Sequence, residues 1–136
     1  MSFTTSVFCT AQFEASHRWK DIPPESPVQY LFYMHRHVFH VRLEVAVEHS
    51  DRDVEFFELK IKLRQFINKW DMGLGELNKD RLPLREQETH SCEQYAEEIW
   101  KQFDVEYGGK YNVRSVTVSE DNENGATLTT TSTKEV

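Results

Sequence analysis

The chain has 136 residues, of which 38% are apolar and 29% charged, a composition typical of one folded domain rather than a disordered segment. Its net charge of −7 argues against a protein that binds nucleic-acid phosphates, and no apolar run approaches the roughly 20 residues that a membrane span needs. Cys9 and Cys92 lie far apart and form neither a disulfide framework nor a cysteine zinc motif. The N-terminus lacks the pattern of a signal peptide, so we expect a cytoplasmic protein.

The first half of the chain predicts two β-strands joined by a long loop. Ser2 to Phe13 is rich in Thr, Val and Phe, which favours a strand. Three prolines follow within Arg18 to Gln29, a loop long enough to suggest a functional role. From His35 to His49, side chains alternate between two faces, as in a long twisted strand. One face carries His35, His37, Phe39, Val41, Leu43, Val45 and Val47, and the other carries Arg36, His40, Arg42, Glu44 and Glu48.

The second half predicts two helices followed by two strands. Apolar residues recur at three- and four-residue steps from Glu55 to Trp70, and Ser91 with Gln94 has the spacing of a capping box that opens a second helix. Gly73 and Gly75 end the first helix, and a polar connector follows at 78–89. After the second helix, strands are predicted at Tyr111–Glu120 and Ala126–Thr133, with a turn at 121–125 between them. The order is ββααββ. We expect a single α+β domain over residues 1–136, with two helices covering one face of a four-stranded antiparallel sheet.

Three of the six histidines lie close together in the second predicted strand. Residues two apart on a strand share a face, so His35 and His37 are placed to bind one ion. A catalytic zinc commonly takes three protein ligands, and His17, near the end of the preceding strand, is the candidate for the third. His40 falls on the opposite face. The pattern alone leaves open whether these histidines bind a metal, relay protons or are only polar residues on a strand; burial on an apolar face favours a metal, because an unpaired imidazole is costly to bury.

Five short segments, taken together, resemble one protein family. They are FEASH at 13–17, HRH at 35–37, VEFFELK at 54–60, SCEQYA at 91–96 and VTVSE at 116–120. In order and spacing they are similar to the 6-pyruvoyl-tetrahydropterin synthase and 6-carboxytetrahydropterin synthase family, over about residues 7–126. The resemblance implies the tunnelling fold (T-fold), a homo-oligomer that is a trimer or a hexamer, and active sites between subunits.

The resemblance also implies roles for individual residues. His17, His35 and His37 match the three zinc ligands of the family, and Glu120 matches the glutamate that anchors the pterin ring. A carboxylate suits that role because it accepts paired N–H bonds from a 2-amino-pyrimidinone edge. Two residues of the second helix, Ser91 and Glu93, match a segment that lines the ring pocket. Without a ligand, Glu120 would be a surface acid at a strand end and Glu93 a first-turn acid favoured by the helix dipole.

Two positions depart from the family pattern where protons are transferred. Leu31 stands where the bacterial members have a cysteine, four residues before the first histidine of the H-x-H motif. Of the family's Asp-His pair, Asp71 is present but Met72 replaces the histidine, and neither leucine nor methionine can move a proton. Arg36 replaces the glycine between the two histidines, where it adds a bulky cation. The candidate catalytic residues are therefore Asp71, with Glu25 and His90 as possible stand-ins for the missing groups.

Three functions are consistent with this pattern. The first is a zinc-dependent lyase that acts on a pterin or a related purine-derived compound, in tetrahydropterin or 7-deazaguanine (queuosine) synthesis, with altered proton-transfer residues. The second is a catalytically silent relative that keeps Zn²⁺ and Glu120 and binds a pterin-like molecule. The third is an oligomeric scaffold that shares only the fold. The first two predict bound zinc, and turnover of dihydroneopterin triphosphate separates them.

Overall fold

A computed structural model describes residues 2–73, 87–107 and 109–131. Its elements are β1 (Thr5–His17), β2 (His35–Val47), α1 (Phe56–Ile67), α2 (Cys92–Lys101), β3 (Asn112–Glu120) and β4 (Asn124–Thr129). Short 3-10 turns span Gln29–Phe32 and Asn68–Trp70, and a π-helical turn, Gln102–Glu106, follows α2. The four strands form one antiparallel sheet in the order β1-β2-β3-β4. The predicted ββααββ order and sheet are confirmed.

The register of the sheet determines which side chains meet at its end. β1 and β2 pair along their whole length, from Thr5 opposite Val47 to His17 opposite His35. β3 pairs with β2 so that Glu120 lies opposite Phe39, two residues from His37. Because directly paired residues point to the same face, this register places three histidines and a glutamate on one face at one end of the sheet.

The core lies between that face of the sheet, here called the inner face, and the two helices. α1 packs against β1, and α2 packs against β3 and β4. Phe13, Phe39 and Tyr95 lie at the centre, with the Phe13 and Phe39 rings stacked at 5.0 Å between centroids. All three are at most 2% exposed, so the metal-ligand candidates rest on a rigid aromatic layer.

Each helix begins at a capping residue that the sequence makes available. The Glu55 carboxylate accepts hydrogen bonds from the backbone N–H groups of Phe57 and Glu58 at the start of α1. At α2, the predicted capping box is present: Ser91 Oγ accepts from the Gln94 N–H, and the Gln94 side chain accepts from the Ser91 N–H. These bonds satisfy helix-end donors that have no partner within the helix.

Some strand boundaries differ from the predicted ones. β1 spans Thr5–His17 rather than Ser2–Phe13, because β2 supplies a pairing partner for every residue up to His17 and tertiary pairing overrides local composition. β4 begins at Asn124 and ends at Thr129, earlier than the predicted Ala126–Thr133. Gly75 and most of the predicted connector at 78–89 lie outside the described residues. Among the helices that are described, none has the length and apolar character of a membrane span.

Candidate metal centre

His17, His35 and His37 converge at the end of the inner face. Their ring centroids are 4.5 Å apart for His17 and His35, 5.3 Å for His17 and His37, and 5.0 Å for His35 and His37. Each offers one ligand atom, and these atoms all lie within 4.8 Å of one another. Three imidazole nitrogens at this spacing can bind one tetrahedral ion and leave a position open.

In all three histidines the Nδ1 atom lies close to an oxygen acceptor. His17 Nδ1 lies 2.7 Å from the backbone oxygen of His90, and His35 Nδ1 lies 2.9 Å from that of Tyr33. His37 Nδ1 lies 2.7 Å from Asp121 Oδ2. An acceptor at Nδ1 keeps the proton there, so that Nε2 carries the lone pair that a metal needs.

The Nε2 atoms on the other side of the rings also indicate a metal site. His17 Nε2 and His37 Nε2 are buried and have no partner in hydrogen-bonding geometry. The Glu120 carboxylate lies beside them, with Oε1 3.1 Å from His17 Nε2 and Oε2 3.4 Å from His37 Nε2. Buried polar atoms without hydrogen bonds are rare in folded proteins. The donor set of three imidazoles beside one carboxylate fits zinc.

The turn after β3 holds Asp121 against β2. Asp121 and Asn122 have positive φ angles of 55° and 60°, a conformation that Asp and Asn tolerate better than most residues. Asp121 donates its N–H to the Val38 carbonyl at 2.8 Å, and its Oδ1 accepts the Val38 N–H at 2.9 Å. This two-point contact fixes the carboxylate that faces His37 Nδ1.

The titratable groups of the site shift one another's pKa values. The pKa of Glu120 is lowered, chiefly by its contact with His17. Burial lowers the pKa of His17, but Glu120 and the His90 carbonyl outweigh burial and raise it overall. The pKa of His35 is lowered by burial and by the two facing imidazoles. Glu120 is therefore held ionised beside His17, and a cation bound at His17 would take the place of the proton that Glu120 favours there.

A cavity of about 830 Å³ opens beside the histidines. Among the residues that line it are His17, His35, His90, Ser91, Glu93, Glu120 and Leu31. This one cavity is therefore lined by two of the three ligand candidates, His17 and His35, and by the three residues expected at the pterin ring, Ser91, Glu93 and Glu120. The His90 ring lies in the same wall, with Nε2 3.2 Å from Glu98 Oε2.

Other residues singled out by the sequence lie elsewhere. Glu25 is exposed in the loop between β1 and β2 and is absent from the cavity wall formed by the described residues. Asp71 Oδ1 accepts the N–H groups of Glu14 and Gly73, which ties the end of α1 to β1. Met72 Sδ accepts the Ser16 N–H at 3.4 Å. Neither Asp71 nor Met72 is among the described residues that line the cavity of this chain.

Arg36 and His40 both point away from the candidate metal site. Arg36 Nε lies 2.8 Å from Glu14 Oε1, and both side chains are partly exposed. Its bulk therefore does not crowd the neighbouring histidines. His40 pairs with Gln12 and Ser119 on the opposite face of the sheet, as predicted.

The contacts at Nδ1 were not predicted. Asp121 could have been noticed as an acid directly after β3, beside Glu120. Its contact with His37 could not be predicted, because it depends on the register of β2 and β3. The contacts of the His90 and Tyr33 carbonyls could not be predicted, because every residue has a backbone carbonyl and the sequence does not show which of them meets a histidine.

Fold and site together define a T-fold domain with a candidate three-histidine metal centre. The model of the family described as 6-pyruvoyl tetrahydropterin synthase matches residues 6–131, nearly the whole chain. This chain therefore belongs to the 6-pyruvoyl tetrahydropterin synthase family.

Solved structures agree with that fold. 6-Pyruvoyl tetrahydropterin synthase from Caenorhabditis elegans superposes with a TM-score of 0.67 at 15% identity, covering 94% of this chain and 96% of that one. An uncharacterized protein from Wolinella succinogenes gives a TM-score of 0.66, also at 15% identity, with coverage of 94% and 99%. No match was found among curated proteins. At this identity, the structural likeness concerns the fold alone.

Proposed function

We propose that this protein binds Zn²⁺ through His17, His35 and His37 and that it binds or converts a pterin or related purine-derived compound in the adjacent cavity. One observation carries the proposal. Each histidine has an oxygen acceptor at Nδ1, while the Nε2 atoms of His17 and His37 are buried without hydrogen bonds. A metal ion would satisfy both nitrogens, whereas without one the nearby group among the described residues is the Glu120 carboxylate, 3.1 Å from His17 Nε2 and 3.4 Å from His37 Nε2.

The bound ion would supply Lewis-acid chemistry by polarising a substrate oxygen. The groups that would recognise the ring are side chains of the protein. Glu120 can accept N–H bonds from the 2-amino-pyrimidinone edge of a pterin or deazaguanine, and Ser91 and Glu93 lie in the same cavity wall. Their arrangement supports recognition of a flat, N–H-rich heterocycle whose side chain reaches the metal.

The reaction we propose is that of a lyase with altered proton-transfer residues, and a silent pterin-binding protein is the second candidate. Leu31 lines the cavity and Met72 accepts a backbone N–H, so neither position supplies a group that transfers protons. This observation favours the second candidate. His90, in the cavity wall beside Glu98, supports the first, because an imidazole there can exchange a proton.

We further propose a homo-oligomer, a trimer or a hexamer. In the described part of the chain the sheet has two edges, β1 and β4, and four of the six residues of β4 are exposed. Exposed edge strands offer unpaired backbone groups to another strand. Sedimentation equilibrium or light scattering gives the mass directly; a monomer at micromolar concentration contradicts this part of the proposal.

Titration of the purified protein with zinc and then with fluorescent pterins tests the function. We expect a pterin to bind the zinc-loaded protein and Glu120→Gln to lose that binding while it retains the metal. Incubation with dihydroneopterin triphosphate then separates the two candidates, since product formation requires the lyase. Absence of both metal and pterin binding contradicts the proposal.

A further inference from the structure

One side of α1 carries apolar and basic side chains together. Phe57, Lys60, Ile61 and Arg64 recur at three- and four-residue steps, so they lie along a single stripe of the helix. Phe57 is 68% exposed and Ile61 is 55% exposed, and large apolar side chains that cluster on a surface mark interaction sites. Neither Lys60 nor Arg64 forms an ion pair with a described residue. We call these four residues the basic stripe.

The basic stripe lies at one edge of the sheet. α1 packs against β1, which is an edge strand of the described sheet. Lys60 and Arg64 line a second cavity, of about 600 Å³, together with Thr10 and Gln12 of β1. The stripe therefore faces outward past β1, where it would meet a chain that pairs with this strand.

A complementary stripe lies on α2, at the opposite edge of the sheet. Glu93, Glu97 and Trp100 recur at four- and three-residue steps, and we call them the acidic stripe. Both carboxylates are exposed, and neither forms an ion pair with a described residue. α2 packs against β3 and β4, and Glu93 lines the first cavity together with Asn124 and Gly125 at the start of β4. Since β4 is the other edge strand, the acidic stripe faces outward past β4.

The dimensions of the fold bring the two stripes together when sheets join edge to edge. β1 and β4 run in opposite directions, so β1 of one subunit can continue the antiparallel pairing of the next subunit's β4. Four strands at about 4.8 Å occupy roughly 19 Å, the width of two helices about 10 Å across. The helical layer therefore also becomes continuous, and α1 of one subunit lies beside α2 of its neighbour.

We propose that the subunits join head to tail, with the basic stripe of one subunit packed against the acidic stripe of the next. Contacts between like edges are disfavoured, because α1 against α1 opposes Lys60 and Arg64 to their own copies, and α2 against α2 does the same for Glu93 and Glu97. A head-to-tail contact repeats until the ring closes, as a trimer requires. The inference rests on the proposed homo-oligomer, and it names the two helices that form the interface and the direction in which subunits join.

Charge reversal tests this contact in the full chain. Arg64→Glu and Glu97→Arg should each raise the concentration at which the oligomer half dissociates by at least about tenfold at low salt. The two changes combined restore opposite charges across the interface and should return that concentration to within about threefold of wild type. Lys110→Glu, in the connection before the inner strand β3, makes the same charge change as Arg64→Glu and is the control. Light scattering over a dilution series, in added urea if the assembly is too tight to dissociate, measures each midpoint.

Cross-linking reads the contact directly, whatever the strength of the assembly. A zero-length carbodiimide couples an amine to a carboxylate only where the two groups meet. Applied to mixed oligomers of isotopically light and heavy chains, it should join Lys60 of one chain to Glu93 or Glu97 of another, and mass spectrometry identifies the mixed peptide pair.

The outcomes separate two kinds of failure. An oligomer that neither single reversal weakens, or that both weaken and the double variant does not restore, overturns the inference while the homo-oligomer stands. Absence of the cross-link between light and heavy chains in an intact oligomer does the same. Wild-type protein that is a monomer at micromolar concentration contradicts the homo-oligomer itself.

Discussion

His37 Nδ1 lies 2.7 Å from Asp121 Oδ2, and the other oxygen of the same carboxylate accepts the Val38 N–H at 2.9 Å. One residue of the β3–β4 turn therefore fixes both the ring orientation of His37 and the backbone that follows it. Carboxylate–histidine pairs of this type orient the ring and make the opposite nitrogen a better metal ligand.

Asp121→Asn is expected to weaken zinc binding by about 10- to 100-fold. Asparagine tolerates the positive φ of this position, so the turn should persist, but its amide no longer provides an anionic acceptor for the His37 N–H. Competition with a chromophoric chelator measures the affinity. Glu123→Gln, an exposed change in the same turn, is the control. Equal zinc affinities for wild type and Asp121→Asn contradict the orienting role.

Ser91→Ala is expected to reduce the free energy of unfolding by about 1 kcal/mol, because the helix α2 loses its N-cap. Ser91→Asp keeps an acceptor for the Gln94 N–H and should restore most of the stability. Urea unfolding followed by circular dichroism gives both values. If Ser91→Ala leaves stability unchanged, the capping box contributes nothing measurable, and only the proposed ligand-binding role of Ser91 remains.

Neither Cys9 nor Cys92 is expected to act in place of the catalytic cysteine that the sequence resemblance implies at position 31. Burial raises the pKa of Cys9 to about 11 and that of Cys92 to about 12, so both are neutral thiols at physiological pH. Folded protein should react with iodoacetamide on the order of 100-fold more slowly than free cysteine near pH 7.5. Both thiols should react readily in urea, which serves as the control.

The same shifts give a direction for alkaline stability. The folded-state pKa of each thiol lies above its unfolded value of 9.0. The contribution to stability is therefore complete below pH 9 and is lost as the pH rises through about 11 for Cys9 and about 12 for Cys92. Rapid alkylation of the folded protein at neutral pH contradicts the assignment and makes Cys92, in the cavity wall, a candidate nucleophile.

Dihydroneopterin triphosphate is expected to be converted slowly or not at all. By the sequence resemblance, Leu31 and Met72 stand where proton-transfer groups are expected, and acid–base catalysis typically contributes about 10²- to 10⁴-fold to a rate. Product analysis by chromatography measures turnover, and Glu120→Gln shows whether any turnover arises at this site. Conversion at a rate ordinary for an enzyme contradicts the importance given to these two replacements.

Much of the fold could be predicted because its signals are local. The alternation at 35–47, the three- and four-residue spacing of α1 and the Ser91–Gln94 capping box each depend on a few neighbouring residues. The end of β1 was missed because Glu14 to His17 become a strand only through pairing with β2. Composition cannot report pairing partners that lie 18 to 24 residues away.

The three metal-ligand candidates could be predicted, because alternation puts His35 and His37 on one face and His17 lies near the end of the preceding strand. The register then places His17 opposite His35. The groups that orient these histidines could not be predicted. Two are backbone carbonyls, and the third, Asp121, reaches His37 across 84 residues of sequence. Glu25 is exposed and does not line the cavity formed by the described residues, and its role as a stand-in stays a prediction.

Metal analysis of protein purified without chelators tests the central claim most directly. We expect roughly one zinc per chain, its loss in His35→Ala and in His37→Ala, and its retention in His40→Ala, which removes a histidine from the other face of the same strand. Protein that contains no zinc and binds none when titrated, or one in which His40→Ala loses the metal as readily as His37→Ala, contradicts the three-histidine site.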